Sequence, residues 1–319
     1  MKKHLKALTV STVLATSLAF TANVNAMSNT PEPTPPSGFT ETKNPLMLVQ
    51  GILAFDSIAG VDYWYGIASE LESEGATVYT AHISAINNSE TRGEQLIAEL
   101  ENIRATDTSI DKFNLVAHSQ GGLTSRYVMT VRPDLVASVT TIGSPHQGAP
   151  IADMLDGQID GGIINTFASL IGGLIDGLSG DDTTGSDTGS LIYEFSTAGI
   201  VEFNEKYPAG LPTSECGQGS ASVSINGNNI SLYSWGGGES FTSAIDPLDY
   251  MFSAVGSLQS GSNDGITGSC SSHFGTVIRD NYDLNHADLI NQTLGLTGSG
   301  TDPVSLYRTH ANRLKNAGL

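Results

Sequence analysis

The stretch that most constrains this chain is Phe113-Asn114-Leu115-Val116-Ala117-His118-Ser119-Gln120-Gly121-Gly122. Five residues suited to a buried strand run into His-Ser-Gln, then into two glycines and a helical run from Leu123 to Val131. This order predicts a strand, a sharp turn with a serine at its tip, and a helix, an arrangement that presents a serine hydroxyl for nucleophilic attack. Strand and helix pass close together at such a turn, so the positions two before and two after the serine must be small. Here they are Ala117 and Gly121, and Ser119 is the only serine in the chain with Gly or Ala at −2 and Gly at +2. A pattern this loose arises by chance on the order of once in a chain this rich in glycine and alanine, so its surroundings must carry the case.

Those surroundings alternate strand and helix. Leu46-Met47-Leu48-Val49 is a short continuous apolar run, as expected of a strand buried on both faces, and it empties into Gln50-Gly51-Ile52-Leu53. Asp62 to Leu71 reads as a helix, Gly75 breaks it, and Thr77 to Thr80 reads as a second strand. A long helix opens at Ser89 and runs to about Arg104, with Leu96, Ile97, Leu100 and Ile103 at helical spacing. Beyond the serine turn, Val136 to Ile142 is another apolar strand. The alternation predicts an α/β fold with a mostly parallel central sheet covered by helices on both faces. In such sheets chemistry collects at the carboxyl ends of the strands, where both Ser119 and the 50–52 loop would lie.

From about residue 150 to 190 the pattern changes. Ile163, Ile164, Phe167, Leu170, Ile171, Leu174, Ile175 and Leu178 keep a helical period, yet glycines 161, 162, 172, 173 and 177 weaken the helix. A core helix rarely carries five glycines, so the segment reads as a lid over the Ser119 site, with a plain core helix as the competing reading. Ser220 to Leu232 reads as a hairpin turned at Asn226-Gly227. The remainder reads as loop-rich until a final helix from about Ser305 to Lys315. Residues 45–319 show no repeat and no second boundary, and are expected to form one domain.

Residues 1–26 read as a secretory signal: Lys2, Lys3 and Lys6, an apolar run from Ala7 to Phe20, and Val24-Asn25-Ala26 as a cleavage site. A transmembrane anchor competes with that reading, but the run is short and interrupted by Thr and Ser. Residues 27–44, rich in Pro, Ser and Thr, are expected to be a disordered leader. Loss of the three signal lysines takes the formal charge from −19 to −22. So acidic a chain is repelled by phosphate backbones and anionic membrane surfaces, which disfavours nucleic acid as a partner. The only two cysteines, Cys216 and Cys270, read as one disulfide in an exported protein. Closing that loop stabilises by about 4 kcal/mol in the chain-entropy model.

A serine hydroxyl needs a base to take its proton, and the base needs an orienting carboxylate. In the order Ser, Asp/Glu, His, His146 comes too early and His310 falls in the final helix. His273 and His286 remain, with Asp264 upstream of both in Ser262-Asn263-Asp264-Gly265. Spacing leans towards His286 and leaves both open.

The chain resembles the Pseudomonas/Burkholderia-type secreted triacylglycerol lipases of the α/β-hydrolase superfamily. The likeness is carried by Gly51-Ile52-Leu53-Ala54-Phe55-Asp56-Ser57-Ile58, Gly60-Val61-Asp62-Tyr63-Trp64-Tyr65-Gly66-Ile67, Arg132-Pro133-Asp134-Leu135, Asn263-Asp264-Gly265, Cys270-Ser271-Ser272-His273 and Val277-Ile278-Arg279-Asp280-Asn281-Tyr282, and by the ending His310-Ala311-Asn312-Arg313-Leu314. It implies Ser119 as nucleophile, Asp264 as acid and His286 as base. It further implies the backbone N–H groups of Ile52 and Gln120 as an oxyanion hole, where one donor is worth roughly 3 kcal/mol. Asp246 and Asp288 match the carboxylate ligands of a structural calcium, with main-chain oxygens from Gln292 and Leu296; calcium favours such hard oxygen ligands. The resemblance also implies the Cys216–Cys270 disulfide, a lid near residues 161–178, secretion by a Gram-negative bacterium and a membrane-anchored foldase.

Three positions depart from the family's usual pattern: Gln50 and Gln120 stand where His is usual, and Ala117 where Gly is usual. None touches the triad, and the oxyanion donors are backbone groups. The expected activity is hydrolysis of acylglycerol esters at a lipid–water interface. A short-chain carboxylesterase or polyester hydrolase on the same scaffold is the alternative, and a non-catalytic binding protein a distant one.

Overall fold

The computed structural model describes residues 38–52, 57–58, 61–155, 188–298 and 300–319. Strand β1 (Leu46–Val49) shows why its sequence is continuously apolar. Met47 and Val49 pack with Leu96, Leu100, Val128 and Met129 on one face of the sheet. Leu46 and Leu48 pack with Ile67, Leu71, Tyr307 and Leu314 on the other. Burying one such side chain stabilises by about 1.5–3 kcal/mol, and here both faces contribute.

A short antiparallel pair, β2 (Ser57–Ile58) and β3 (Val61–Asp62), leads to helix α1 (Ile67–Ser73). Strand β4 (Val78–Thr80) and helix α2 (Ser89–Thr106) follow, then β5 (Phe113–His118), α3 (Gln120–Val131) and β6 (Val136–Ile142). Helices α4 (Pro150–Leu155), α5 (Thr188–Phe195) and α6 (Thr197–Lys206) precede the hairpin β7 (Ser222–Ile225) and β8 (Asn228–Gly237). Helix α7 (Pro247–Gly256), strand β9 (Thr276–Tyr282) and helix α8 (Pro303–Asn316) complete the order.

The main sheet runs β4-β1-β5-β6-β8 with every neighbour parallel; β8 carries antiparallel β7 and then parallel β9 along its other edge. Helices α2 and α3 cover one face, α1 and α8 the other. Register aligns Val49 with Ala117 and Ala117 with Thr141, so β1, β5 and β6 end side by side. This sets the 50–52 loop against the Ser119 turn. Among the described residues no helix is long and apolar enough to cross a membrane.

The structure corrects several expectations. The leader expected at 27–44 is ordered at its end: Thr40 and Asn44 are buried, Thr40 Oγ1 donates to Leu71 O at 2.7 Å, and Lys43 N donates to Leu319 O at 2.7 Å. The Thr40 hydroxyl and the Lys43 N–H are satisfied by backbone from distant parts of the chain, which composition does not reveal. The helix expected from Asp62 starts at Ile67, because Asp62 pairs in β3 and Gly66 takes a left-handed φ of 72°. Strand β9 falls in a stretch expected to be loop-rich, since an edge strand with Arg279 and Asp280 on it shows no apolar run. The expected signal (1–26) and the rest of the leader lie outside the described residues, as does 156–187 of the expected lid; α4 and α5 are the described parts of 150–190. Cys216 and Cys270 form the expected disulfide.

Candidate active site

Ser119 closes β5 and caps α3, with φ 54° and ψ −126°. A non-glycine residue there costs about 1–3 kcal/mol and persists only where its surroundings hold it. Its N–H donates to Ile142 O at 2.9 Å, and its carbonyl accepts from Gly122 N at 3.0 Å. A Cβ on Gly121 would lie 2.3 Å from Val49 O, and one on Gly51 would lie 2.7 Å from Ser119 Cβ. Glycine at 51 and 121 is therefore what lets β1, the turn and α3 converge. Ala117 is fully buried in the core, so its methyl is accommodated two residues before the serine.

His286 stands beside the serine, its Nε2 3.0 Å from Ser119 Oγ and its Nδ1 2.8 Å from Asp264 Oδ2. An ionised Asp264 accepts from Nδ1–H, which leaves Nε2 free to accept the serine hydroxyl. Asp264 is held by Ile266 N and Thr267 N, both donating to Oδ1, while its own carbonyl accepts from His286 N. Asp264 is buried, and Ser119 and His286 are 6% and 9% exposed, a partly desolvated site that strengthens each of these bonds. His273, the other candidate, is turned to Gly217 O and Asp280 at 2.8 and 2.9 Å and takes no part.

The 50–52 loop is held by partners that sequence reasoning missed. Gly51 N donates to the Tyr63 hydroxyl at 2.9 Å, the hydroxyl donates to His118 Nδ1 at 2.8 Å, and His118 Nε2 donates to His286 O at 3.0 Å. Burial, then the neighbouring His286, push His118 well below the ordinary histidine range, so the ring is neutral as this chain of donors requires. From the other side, buried Arg92 donates to Gln50 O and Gly51 O at 2.7 and 2.8 Å and to the Gln120 side-chain oxygen. Burial lowers Arg92 to about 10, which leaves it charged at neutral pH. Ser89-Glu90-Thr91-Arg92 reads as an ordinary helix start; the one available signal is that Arg92 shares a helix face with Leu96. Ile52 ends this loop half-buried, packed against the cluster that contains Ile86 and Leu123. Gln120 N–H lies in the first turn of α3, where backbone donors have no intrahelical acceptor.

Below the His286 loop, Asp246 and Asp288 meet as expected, together with Asp249, which sequence reasoning missed. All three are buried, with one carboxylate oxygen of each within 4.8 Å of the others. Asp249 is fully engaged: Oδ2 accepts from Thr242 N and Ser243 N, and Oδ1 from Asn285 Nδ2 at 2.7 Å. Asp288 Oδ2 accepts from Thr242 Oγ1 and Asn285 N, but its Oδ1 is buried with no hydrogen-bond partner. Burial, then Asp249 and Asp246, push Asp288 up to about 7. Three buried carboxylates with an orphaned oxygen suit a hard divalent cation, and the cluster can hold a metal ion. Thr293 donates its N–H and hydroxyl to Asp246 at 3.1 and 3.2 Å, which brings the Gln292–Leu296 loop alongside.

The alpha/beta hydrolase fold model matches residues 44–174. The chain is 46% identical over 288 residues to a triacylglycerol lipase of Vibrio cholerae, covering 88% of this chain and 91% of that protein. It is 39% identical over 321 residues to a triacylglycerol lipase of Burkholderia plantarii, covering 88% of each. Among solved structures, a Bacillus licheniformis lipase in mature form shares the fold at a TM-score of 0.60 and 16% identity, over 89% of this chain and 95% of that one.

Proposed function

This chain belongs to the Pseudomonas/Burkholderia-type bacterial triacylglycerol lipases, which have the α/β-hydrolase fold, and on that premise we propose that it hydrolyses acylglycerol esters through Ser119, His286 and Asp264. Ser119 Oγ attacks the ester carbonyl as His286 Nε2 takes its proton. The N–H groups of Ile52 and Gln120 bind the oxyanion that forms. Collapse of the tetrahedral intermediate breaks the acyl–oxygen bond, and His286 gives its proton to the departing alcohol. Water then enters, His286 takes a proton from it, and the acyl group leaves as a carboxylic acid while the proton returns to Ser119. Asp264 stays ionised throughout, holds the Nδ1–H tautomer and stabilises the imidazolium.

A structural calcium on Asp246 and Asp288, with main-chain oxygens of Gln292 and Leu296, would pin the loop that carries His286. Asp288 lies two residues after it. Asp249 supports this set by orienting Thr242 and Asn285, which in turn hold Asp288. Secretion, through the 1–26 signal and with a membrane-anchored foldase, belongs to the same reading.

The observation that carries the reading is the serine–histidine–aspartate chain, with separations of 3.0 and 2.8 Å at the tip of a strained turn. Hydrolysis of a triacylglycerol emulsion and of a soluble short-chain ester, each followed against concentration with calcium present, tests it. The expected result is a rate that climbs as the triacylglycerol passes its solubility limit and is lost in Ser119→Ala. Turnover of the soluble ester alone would make the protein a carboxylesterase, and no turnover of either would overturn the assignment.

A further inference from the structure

Gln120 contributes more than a backbone N–H. Its side chain is fully buried, and each end of the amide meets a different partner. The oxygen accepts from Arg92, while Nε2 donates to Asn87 O at 2.7 Å and to Glu194 Oε2 at 3.2 Å. Glu194, on α5, is itself buried and reaches 105 residues back to the first turn of α2, accepting from Ser89 N at 2.9 Å and Ser89 Oγ at 2.7 Å. Arg92, in that same first turn, closes the path by donating to the carbonyls of Gln50 and Gly51.

The charges explain why this path is needed. Arg92 and Arg126 are buried guanidiniums, and the Glu194 carboxylate favours the charged form of both. Burial pushes Glu194 itself up, while its hydrogen bonds from Ser89 and Gln120 and the charge of Arg92 favour its ionised form. An uncompensated buried charge is strongly destabilising. Arg92 and Glu194 are joined by the Gln120 amide, oriented with its oxygen to the cation and its nitrogen to the anion. Such polarised chains strengthen their own members.

We infer that Glu194 and the Gln120 side chain are positioning residues, which fix through Arg92 where the Ile52 and Gln120 N–H groups point. The inference rests on the proposal that those two N–H groups bind the oxyanion. Neither side chain touches substrate. Their effect falls on the tetrahedral state, where the oxyanion forms, and leaves ground-state binding alone.

Steady-state kinetics on a soluble ester, with the affinity of an alkylboronic acid as a tetrahedral mimic, test this on Gln120→Leu, Glu194→Ala and the double variant. Losing one oxyanion donor outright costs about 10²–10³ in kcat, so misaiming the pair is expected to lower kcat about tenfold in each single variant. KM should stay within about twofold, and boronate affinity should fall with kcat. A neutral histidine also offers one acceptor and one donor nitrogen, so Gln120→His is expected to recover most of what Gln120→Leu loses. Residues on one path do not add, so the double variant should be no slower than the worse single one.

Unchanged kcat in a folded Gln120→Leu protein would overturn the inference, and that variant decides should Glu194→Ala fail to fold. Additive losses, or losses in KM rather than kcat, would overturn it equally. A parent protein that turns over no ester would instead bring down the hydrolase reading beneath it.

Discussion

Ser119 and His286 meet at 3.0 Å, yet the two segments that carry them are held in different ways. The serine turn is fixed by volume: fully buried strands β5 and β6, and glycines at 51 and 121 where any Cβ would strike neighbouring atoms. The histidine loop is fixed by polar groups: Asp264 and His118 on its backbone, and three buried carboxylates beneath it. A segment held by packing should tolerate changes of ion and pH and resist added atoms. A segment held by carboxylates should do the reverse.

The largest expected effect lies on the packed side. Gly121→Val places its Cβ against the Val49 carbonyl of a central strand, which cannot move without breaking the sheet. The cost is expected to be about 3 kcal/mol or more, enough that no folded protein accumulates, as soluble yield and circular dichroism would report. A well-folded Gly121→Val protein would end the volume argument.

On the carboxylate side, removing the proposed calcium should lower the melting temperature by several degrees. A ligand at a hundredfold excess over its Kd stabilises by roughly 2.7 kcal/mol. The pH dependence has a definite sign. Asp288 is raised from 3.8 to about 7, so in the ion-free protein the stability from its protonated form is present below 3.8 and lost as pH rises towards 7. Calcium needs the ionised form, so the gap between calcium-loaded and chelated melting temperatures should widen from about pH 5 to pH 8. Asp288→Asn sharpens this further. Its Oδ1 has no donor to lose, so the variant should melt no lower than the chelated parent and should ignore added calcium. Scanning calorimetry of both proteins decides it, and a calcium response retained by Asp288→Asn would remove that residue from the ligand set.

The smallest effect separates the turn from its sequence signature. Ala117→Gly restores the family's usual residue, yet should destabilise by about 1 kcal/mol, because it trades a packed methyl for strand flexibility. Chemical denaturation is precise enough to see it, and a stabilised variant would mean that the methyl is strained.

The contrast also explains what could be read in advance. Packing is written locally: the apolar runs at 46–49, 113–117 and 136–142, broken by small residues, predict three central strands and the serine turn between two elements. The polar side is assembled from residues far apart in the chain, and side-chain type says little about it. Asp249 and Arg92 look like surface charges in sequence, and both are buried. Spacing leans towards His286 but leaves His273 open, because only folding turns one to Asp264 and the other to Asp280. Thr40 and Asn44 look like linker and are packed against neighbouring backbone. The family resemblance supplied Asp246 and Asp288, whose meeting no periodicity would suggest.

The most direct test of the central claim is to treat the intact protein with an alkyl fluorophosphonate and locate the adduct by peptide mass. The account predicts one adduct per chain, on Ser119, formed about 10³-fold or more slowly in His286→Ala. An adduct on another residue, or labelling of Ser119 at an unchanged rate without His286, would contradict it.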